Sequence, residues 1–423
     1  MSYRHPSKDI MELEGTILRG KTICLCLTGS VAIISAPIIA RKLMRKGADV
    51  IAVMTRAATE LVSPSLIHWA TGNRVISNIS GAVEHVYLAG ERPKKVGKAD
   101  LILVCPATAN TISKIACGID DTSVTTVVTT AFGSGIPIIV VPAMHESMFR
   151  HEILTENMKK LRKYGVEILG PRISEGKAKI ARIDDIIDRV IDLLVSKKDL
   201  HGMKILITAG PTREPIDTVR FVSNRSSGRQ GIEIAKECSA RGGGVLLING
   251  RSTINPPDYL NVTNVTTTQD FIDTVKKELT DGKYDIFICA AAISDYSPKK
   301  YIEGKISSDN VEELQINMAL TPKIIDEARK VDKKVLIVAF KAETNVSRSE
   351  LIDRAYSRLK KSKVDLIVAN DIGRDDIGFE SVENEVYIIN KEKHITHVPK
   401  HSKRYIASKL IDTVLENYRI KDL

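Results

Sequence analysis

What most constrains this chain is an alternation of short, β-branched apolar runs with stretches of helical periodicity, broken once near the middle. Runs at residues 22–27, 49–54, 100–105 and 136–141 have the length and composition of buried strands. Residues 38–46 and 152–164 carry apolar positions at helical spacing. This is a βαβ rhythm, which requires a parallel sheet covered on both faces. After the periodic segment 183–195 comes the polar string Ser196-Lys197-Lys198-Asp199-Leu200-His201-Gly202, and the rhythm restarts near 203–208, 244–248, 285–290, 335–340 and 365–369. A chain of 423 residues exceeds what one core holds, so the break is read as a boundary between domains 1–196 and 197–423. The expected class is α/β, with two tandem Rossmann-like domains of mostly parallel sheets. The second is expected to end in a β-hairpin, residues 385–390 and 394–398 around Lys391-Glu392-Lys393, and a closing helix from about residue 401.

Charge and composition narrow the partners. The 62 basic and 52 acidic side chains leave +10, yet no long basic block occurs and aromatics make up only 4%. That balance favours anionic small molecules over nucleic acid, whose binding surfaces interleave stacking aromatics with cations. Cys24, Cys26, Cys105, Cys117, Cys238 and Cys289 lie in or beside apolar runs rather than in paired metal-binding motifs, so they read as reduced core residues. No apolar run reaches the roughly 18 residues of a membrane span and no apolar signal core opens the sequence, so a cytoplasmic protein with no membrane partner is expected.

The densest chemistry follows the run at 203–208. Thr208-Ala209-Gly210-Pro211-Thr212 leads through Arg213 and Asp217 to Ser223-Asn224-Arg225-Ser226-Ser227-Gly228, and a helical stretch spans 231–241. Backbone N–H groups and the positive end of a helix there suit a phosphate. As structure alone the segment reads equally well as a loop with a serine cap. Farther on, Asp295, closing Cys289-Ala290-Ala291-Ala292-Ile293-Ser294-Asp295, suits a ribose or base, and Lys305 suits developing phosphate charge.

In the first half, Thr28-Gly29-Ser30-Val31-Ala32, Thr55 and Pro106-Ala107-Thr108-Ala109-Asn110-Thr111 end three successive strands. Such edges bind nucleotides or flavins, and read as structure alone they are capped strand–helix turns. Neither GxGxxG nor a lysine-bearing phosphate loop is present. His85 and His145 are imidazoles placed for proton transfer near neutral pH, although a lone histidine is more often structural.

Through Gly29-Ser30-Val31-Ala32, His85, residues 106–111 and Pro142-Ala143-Met144 with Ser147-Met148, the first half resembles the flavin-containing cysteine decarboxylases. Through Ser223-Asn224-Arg225-Ser226-Ser227-Gly228 and the spacing of Asp295, Tyr296 and Lys305, the second half is similar to phosphopantothenate–cysteine ligase. Together they resemble the bifunctional coenzyme A biosynthesis enzymes of bacteria and archaea. The resemblance implies FMN, held by Gly29, Ser30, Thr55, Pro106, Ala107, Thr108 and Asn110 at subunit contacts of a trimer, with His85 as a catalytic histidine. It further implies oxidation of the thiol end of 4′-phosphopantothenoylcysteine, loss of carbon dioxide, and return of the electrons to give 4′-phosphopantetheine.

For the second half it implies ligation of cysteine to 4′-phosphopantothenate through an acyl-cytidylate, with CTP as co-substrate and Mg2+ on the phosphates. Asn224 would bind the intermediate and Lys305 would be catalytic. Cys289, Ala290, Ala291, Asp295, Lys305, Pro322, Lys323, Ile324, Ile325 and Phe340 would hold the nucleotide, while the family's two triphosphate lysines fall near Arg358 and Ser362. A homo-oligomer is implied, trimeric through the first halves and dimeric through the second, up to a dodecamer.

Two departures stand out. His145 replaces an asparagine that holds the substrate carboxylate in the family, and Lys179 stands where bacterial members carry a proton-donating cysteine in a flap after Gly170-Pro171. Imidazole still donates to a carboxylate, and an ammonium still carries a proton. These departures leave open a first half that binds flavin in a regulatory or structural role beside an active ligase. A likeness to flavin prenyltransferases lacks a dimethylallyl-phosphate signature.

Overall fold

The run over residues 22–27 forms strand β1 (Thr22–Leu27), buried at every position. The computed structural model describes residues 5–91, 97–307, 313–373, 381 and 383–421. Its contacts divide the chain into two compact units, Met1–Ser196 and Lys197–Leu423.

In the first unit β1 pairs in parallel with β2 (Asp49–Met54) and with β3 (Leu101–Ala107). Beyond β3 lies β4 (Ile138–Pro142), followed in the chain by the two-residue β5 (Met144–His145), and β6 (Glu167–Ile168) completes a parallel sheet ordered β2-β1-β3-β4-β6. The crossover helices include Ala36–Arg45, Ala109–Cys117, Ser123–Gly133 and Glu152–Lys163. Each begins behind a short polar loop at a strand's carboxyl end or beside it; Thr108 and Thr122 accept N–H bonds as side-chain caps. A separate antiparallel sheet joins β5 to the hairpin β7 (Arg172–Ser174) and β8 (Lys177–Lys179). Glu175 and Gly176 turn that hairpin with φ of 53° and 66°.

The second unit opens with β9 (Lys204–Ala209), followed by the antiparallel ribbon β10 (Arg213–Pro215) and β11 (Phe221–Ser223). Next come β12 (Gly244–Asn249), β13 (Asn261–Asn264) and β14 (Ile286–Cys289), then a second ribbon of β15 (Tyr296–Pro298) and β16 (Met318–Leu320). β17 (Leu336–Glu343), β18 (Leu366–Asp371) and the hairpin β19 (Glu383–Asn390) and β20 (Ile395–Ser402) follow. The main sheet runs β13-β12-β9-β14-β17-β18-β19-β20, parallel through β18 and antiparallel beyond. Ile205, Leu206 and Ile207 of β9 are fully buried between helical layers, and each such side chain contributes roughly 1.5–3 kcal/mol of transfer free energy. The reading of two tandem Rossmann-like sheets, the second ending in a hairpin and helix, is borne out.

Two packing details position the ligand edge of this sheet. Helix Arg229–Ala240 runs so close to β9 that a Cβ on Gly231 would sit 2.6 Å from Ala209 Cβ and 2.9 Å from the Thr208 carbonyl oxygen. The closing helix Lys403–Lys421 is tied down by Arg241, 2% exposed, whose guanidinium reaches Glu237 (2.8 Å), Asp412 (2.8 Å) and Asp199 (3.4 Å) and donates to the Ser408 carbonyl (3.1 Å).

The cysteines form no disulfides, and all but Cys117 are buried; Cys117 is exposed, because it ends helix Ala109–Cys117 on its outer side, which corrects the reading of it as a core residue. Among the described residues no helix is long and apolar enough to cross a membrane.

Candidate functional site

In the second unit the loops at the carboxyl ends of β9 and β14 are laced together. Ala292 N–H donates to the Gly210 carbonyl (3.0 Å), Ala291 N–H to Thr208 Oγ1 (3.3 Å) and Ser294 N–H to Thr212 Oγ1 (3.1 Å). Asn224, just past β11, donates its amide N–H to the Ala292 carbonyl at 3.0 Å. A carbonyl only accepts, so this bond fixes which end of the amide is nitrogen and leaves one N–H and the oxygen for a ligand.

These loops form one wall of a cavity of about 450 Å³ at the carboxyl edge of the sheet. Asn224 lines it, together with Cys289, Ala290, Ala291, Asp295, Pro322, Lys323, Ile324, Ile325 and Phe340, so the positions expected around a nucleotide meet in one place. The cavity also takes in Arg358, and with it Arg229, Lys341 and Lys403, side chains that no motif marked for this place. Among the described lining residues the cations are Arg229, Lys323, Lys341, Arg358 and Lys403, and the one carboxylate is Asp295, which is paired with Lys323. Several cations around one paired carboxylate in a concave, partly apolar site favour a polyanionic ligand.

Of the two positions expected near a triphosphate, Arg358 faces this cavity while Ser362 lines a different, basic depression with Lys330, Lys333 and Lys363. Lys305 does not line the cavity either. Its exposed loop is held at the ribbon: Ile306 N–H donates to Asp217 Oδ2 (3.1 Å), Thr218 N–H to the Gly304 carbonyl (3.3 Å) and Ile302 N–H to the Ile216 carbonyl (3.1 Å). Spacing from Asp295 along the chain does not register this anchoring by Asp217.

Asp217 is itself an anion site turned inward. Burial works to raise its pKa, but the Ile306, Arg220 and Val219 N–H donors and the Arg220 guanidinium outweigh it and hold it down to about 2. A carboxyl depressed in the folded state contributes stability above its unfolded value of about 4, and loses that contribution as pH falls from there to about 2. The Asp217→Asn variant is therefore expected to show a shallower fall in melting temperature across that acid window than the parent. Parallel slopes would count against this account.

In the first unit the sequence-predicted flavin residues converge at the carboxyl ends of β1 to β4. Thr28 Oγ1 donates to the Pro106 carbonyl (2.8 Å) and accepts from Thr108 N–H (3.1 Å), Ser30 Oγ donates to the Ala143 carbonyl (3.1 Å), and Ala143 N–H donates to the Ala107 carbonyl (3.1 Å). Thr55 caps helix Arg56–Leu61, Thr108 caps Ala109–Cys117, and Asn110 stands exposed in the first turn of the latter. Gly29 packs on Ala57, whose Cβ would lie 2.6 Å from any Cβ at position 29.

His85 belongs to the short helix Glu84–Ala89, and its Nδ1 is buried without a hydrogen-bond partner among the described residues. His145 is exposed and caps helix Glu146–Phe149, with Nδ1 accepting from Ser147 N–H at 3.3 Å and lying 2.9 Å from Ser147 Oγ. The flap folds onto it: His145 lies opposite Lys177 and Met144 opposite Ala178. Lys179 ends that strand, and its ammonium donates to Glu175 Oε2 at 2.6 Å. This bond, with the charge behind it, lowers the Glu175 pKa. The two positions where this sequence departs from the decarboxylase pattern thus share one small sheet.

A flavin-type α/β unit followed by a unit with a cationic nucleotide-sized cavity is also what the family models give. Residues 12–195 match the Flavoprotein family, and residues 200–418 match the DNA/pantothenate metabolism flavoprotein C-terminal domain. The chain is 45% identical over 410 residues to the coenzyme A biosynthesis bifunctional protein CoaBC of Thermococcus kodakarensis, covering 97% of this chain and 98% of that protein. It is 36% identical over 411 residues to the protein of the same name from Methanocaldococcus jannaschii, covering 97% of each. The chain belongs to this family of coenzyme A biosynthesis bifunctional proteins.

Proposed function

We propose that the second unit ligates cysteine to 4′-phosphopantothenate using CTP, and that the first decarboxylates the resulting 4′-phosphopantothenoylcysteine to 4′-phosphopantetheine with FMN. The observation that carries the ligase reading is the cavity in which Asn224 faces a lining of cations around one paired carboxylate. In the first step the pantothenate carboxylate attacks the α-phosphorus of CTP and pyrophosphate leaves. In the second the cysteine amine attacks the acyl carbon and CMP leaves with the bonding pair. Asn224, with one N–H spent on Ala292, has one left to donate to the acyl oxygen as it gains charge. Lys323, Lys341 and Arg358 offset the charge of the triphosphate, whose oxygens would carry the Mg2+. Lys305, whose neighbour Ile306 donates its N–H to Asp217, is given no contact in this arrangement.

For the first unit the donor set fits a flavin: backbone and hydroxyl groups of Gly29, Ser30, Thr55 and residues 106–110 at one sheet edge, with His85 Nδ1 buried and without a partner among the described residues. Bound FMN would supply the two-electron chemistry that makes the carboxylate a leaving group. The chain's own part is to bind and to hold protons. Since His145 Nδ1 accepts from Ser147 N–H, its neutral ring carries the proton on Nε2 and presents that donor to a substrate carboxylate. Lys179, paired with Glu175, holds an ammonium proton on the flap. Val31 and Ile34, 77% and 75% exposed beside Ser30, support self-association of this unit as in the trimers of the resembled decarboxylases.

Purified protein given 4′-phosphopantothenate, cysteine and CTP should release CMP, pyrophosphate and carbon dioxide in equal amounts. Ligation without carbon dioxide in a preparation whose absorption shows bound flavin would remove the catalytic role of the first unit. In the Lys179→Met variant carbon dioxide release should persist while 4′-phosphopantetheine formation falls by roughly two orders of magnitude, the usual worth of a positioned proton donor. Product formed at the parent rate would exclude Lys179 as that donor.

A further inference from the structure

The flap sheet of the first unit sorts its side chains by face. In its register His145 lies opposite Lys177, Met144 opposite Ala178, and Arg172 opposite Lys179. Residues directly opposite share a face and alternate residues return to it, so His145, Lys177, Lys179 and Arg172 lie on one side of the sheet. Met144 and Ala178 lie on the other, where Met144 packs against the first unit's core and Ala178 is 1% exposed. The apolar face anchors the flap, and the cations stand with the exposed His145 on the open face.

Cations directly opposite one another destabilise a sheet, and Arg172 and Lys179 are so placed. Residues 172–179 contain one carboxylate, Glu175. Its hydrogen bond comes from Lys179 at 2.6 Å, and Lys177 acts on it through charge alone. Arg172 spends its Nε on the Ile180 carbonyl at 3.2 Å. Lys177 is exposed, and its ammonium makes no hydrogen bond or ion pair among the described residues. As an opposite pair, Lys177 and His145 have Cβ atoms about 4.5–5.5 Å apart, so ammonium and imidazole can meet on one small anion. The pair is tied to the edge that gathers the flavin residues: Ala143, two residues before His145, accepts from Ser30 Oγ and donates to the Ala107 carbonyl, each at 3.1 Å. A neutral imidazole offers a single donor, whereas a carboxylate presents two oxygens and a full charge.

We propose that Lys177 is a specificity-determining residue of the decarboxylase, pairing its ammonium with the cysteinyl carboxylate of the substrate while His145 donates Nε2–H to the same group. The inference rests on the decarboxylase reading above. It divides the flap between two tasks, with Lys177 recognising the carboxylate and Lys179 keeping its proton for the product. As the carbon–carbon bond breaks, the carboxylate's charge passes back into the substrate. A cation at the carboxylate therefore favours binding and selection, not the cleavage itself.

The test compares the parent chain, purified with its flavin, with Lys177→Met and Lys177→Arg. Two probes are titrated by calorimetry. The serine analogue of 4′-phosphopantothenoylcysteine keeps the carboxylate and the phosphate but has no thiol to oxidise, and 4′-phosphopantetheine keeps the phosphate but lacks the carboxylate. Lys177→Met should bind the serine analogue roughly ten- to a hundredfold more weakly, the worth of a charge-assisted hydrogen bond, and 4′-phosphopantetheine within about twofold of the parent. Lys177→Arg, which keeps the charge, should recover the analogue to within about threefold. In turnover the KM for 4′-phosphopantothenoylcysteine should rise by the same factor as the analogue's dissociation constant, with kcat within about twofold. Lys177 is exposed, so both variants should melt with the parent and retain its flavin absorbance. Equal weakening of the two probes would place Lys177 on the phosphate and overturn the carboxylate contact. Analogue binding by Lys177→Met within about threefold of the parent would overturn it outright, as would loss of the flavin. A parent chain that holds flavin and binds neither probe would instead sink the decarboxylase reading on which this rests.

Discussion

Asn224→Ala is expected to lower cysteine ligation by about 10²–10³-fold, the loss seen when one preorganised donor to a developing oxyanion is removed. Decarboxylation of supplied 4′-phosphopantothenoylcysteine should stay within twofold of the parent, because that chemistry is assigned to a unit with its own core. The size of the effect follows from where the amide sits. Its bond to the Ala292 carbonyl clamps the end of the β10–β11 ribbon to the loop after β14, so the free N–H is aimed by the fold rather than by the substrate. An alanine loses the donor and the clamp together. The measurement is pyrophosphate release with saturating CTP; a change confined to KM, with kcat intact, would mean that Asn224 only binds substrate.

His85→Gln should abolish carbon dioxide release by about 10²–10⁴-fold while ligation proceeds, so that 4′-phosphopantothenoylcysteine accumulates in a one-pot reaction. The motive is the buried Nδ1 without a partner among the described residues. Leaving such an atom unsatisfied costs roughly 1–3 kcal/mol, a cost that a binding site recovers when ligand arrives. Glutamine keeps a polar side chain of similar reach but has no group that gains or loses a proton near neutral pH. Loss of flavin absorbance in the purified variant would move His85 from proton handling to cofactor binding.

How far the sequence reached depended on whether a signal was local. β1 and β2 have the predicted bounds because their β-branched runs are buried throughout and end at Thr28 and Thr55, which turn the chain. β13, Asn-Val-Thr-Asn at the sheet's edge, lacks an apolar run and was legible only once β12 stood beside it. The flap hairpin reads in sequence as a basic loop, and only its pairing with β5 brings Lys177 opposite His145. In the ligase cavity the residues foreseen were those on short motifs after strands, such as Ala290 and Phe340. Lys403 was not among them: in a chain with 62 basic side chains nothing local marks one lysine as buried. Lys305 illustrates the reverse, a motif residue whose place is set by a distant carboxylate, Asp217.

Arg241 has a consequence for anyone who wishes to divide this chain. Its guanidinium joins Asp199, three residues into the second unit, to Asp412 and Ser408 near that unit's far end. The unit's two ends are thus moored to one buried ion, inside the polar string that looks on paper like a dispensable connector. A ligase piece trimmed to begin at the first strand residue, Lys204, would strand a buried charge without one of its partners and loosen the helix that carries Lys403. The working boundary between the two activities therefore lies before Asp199, at the cost of a few residues that bear no catalytic motif.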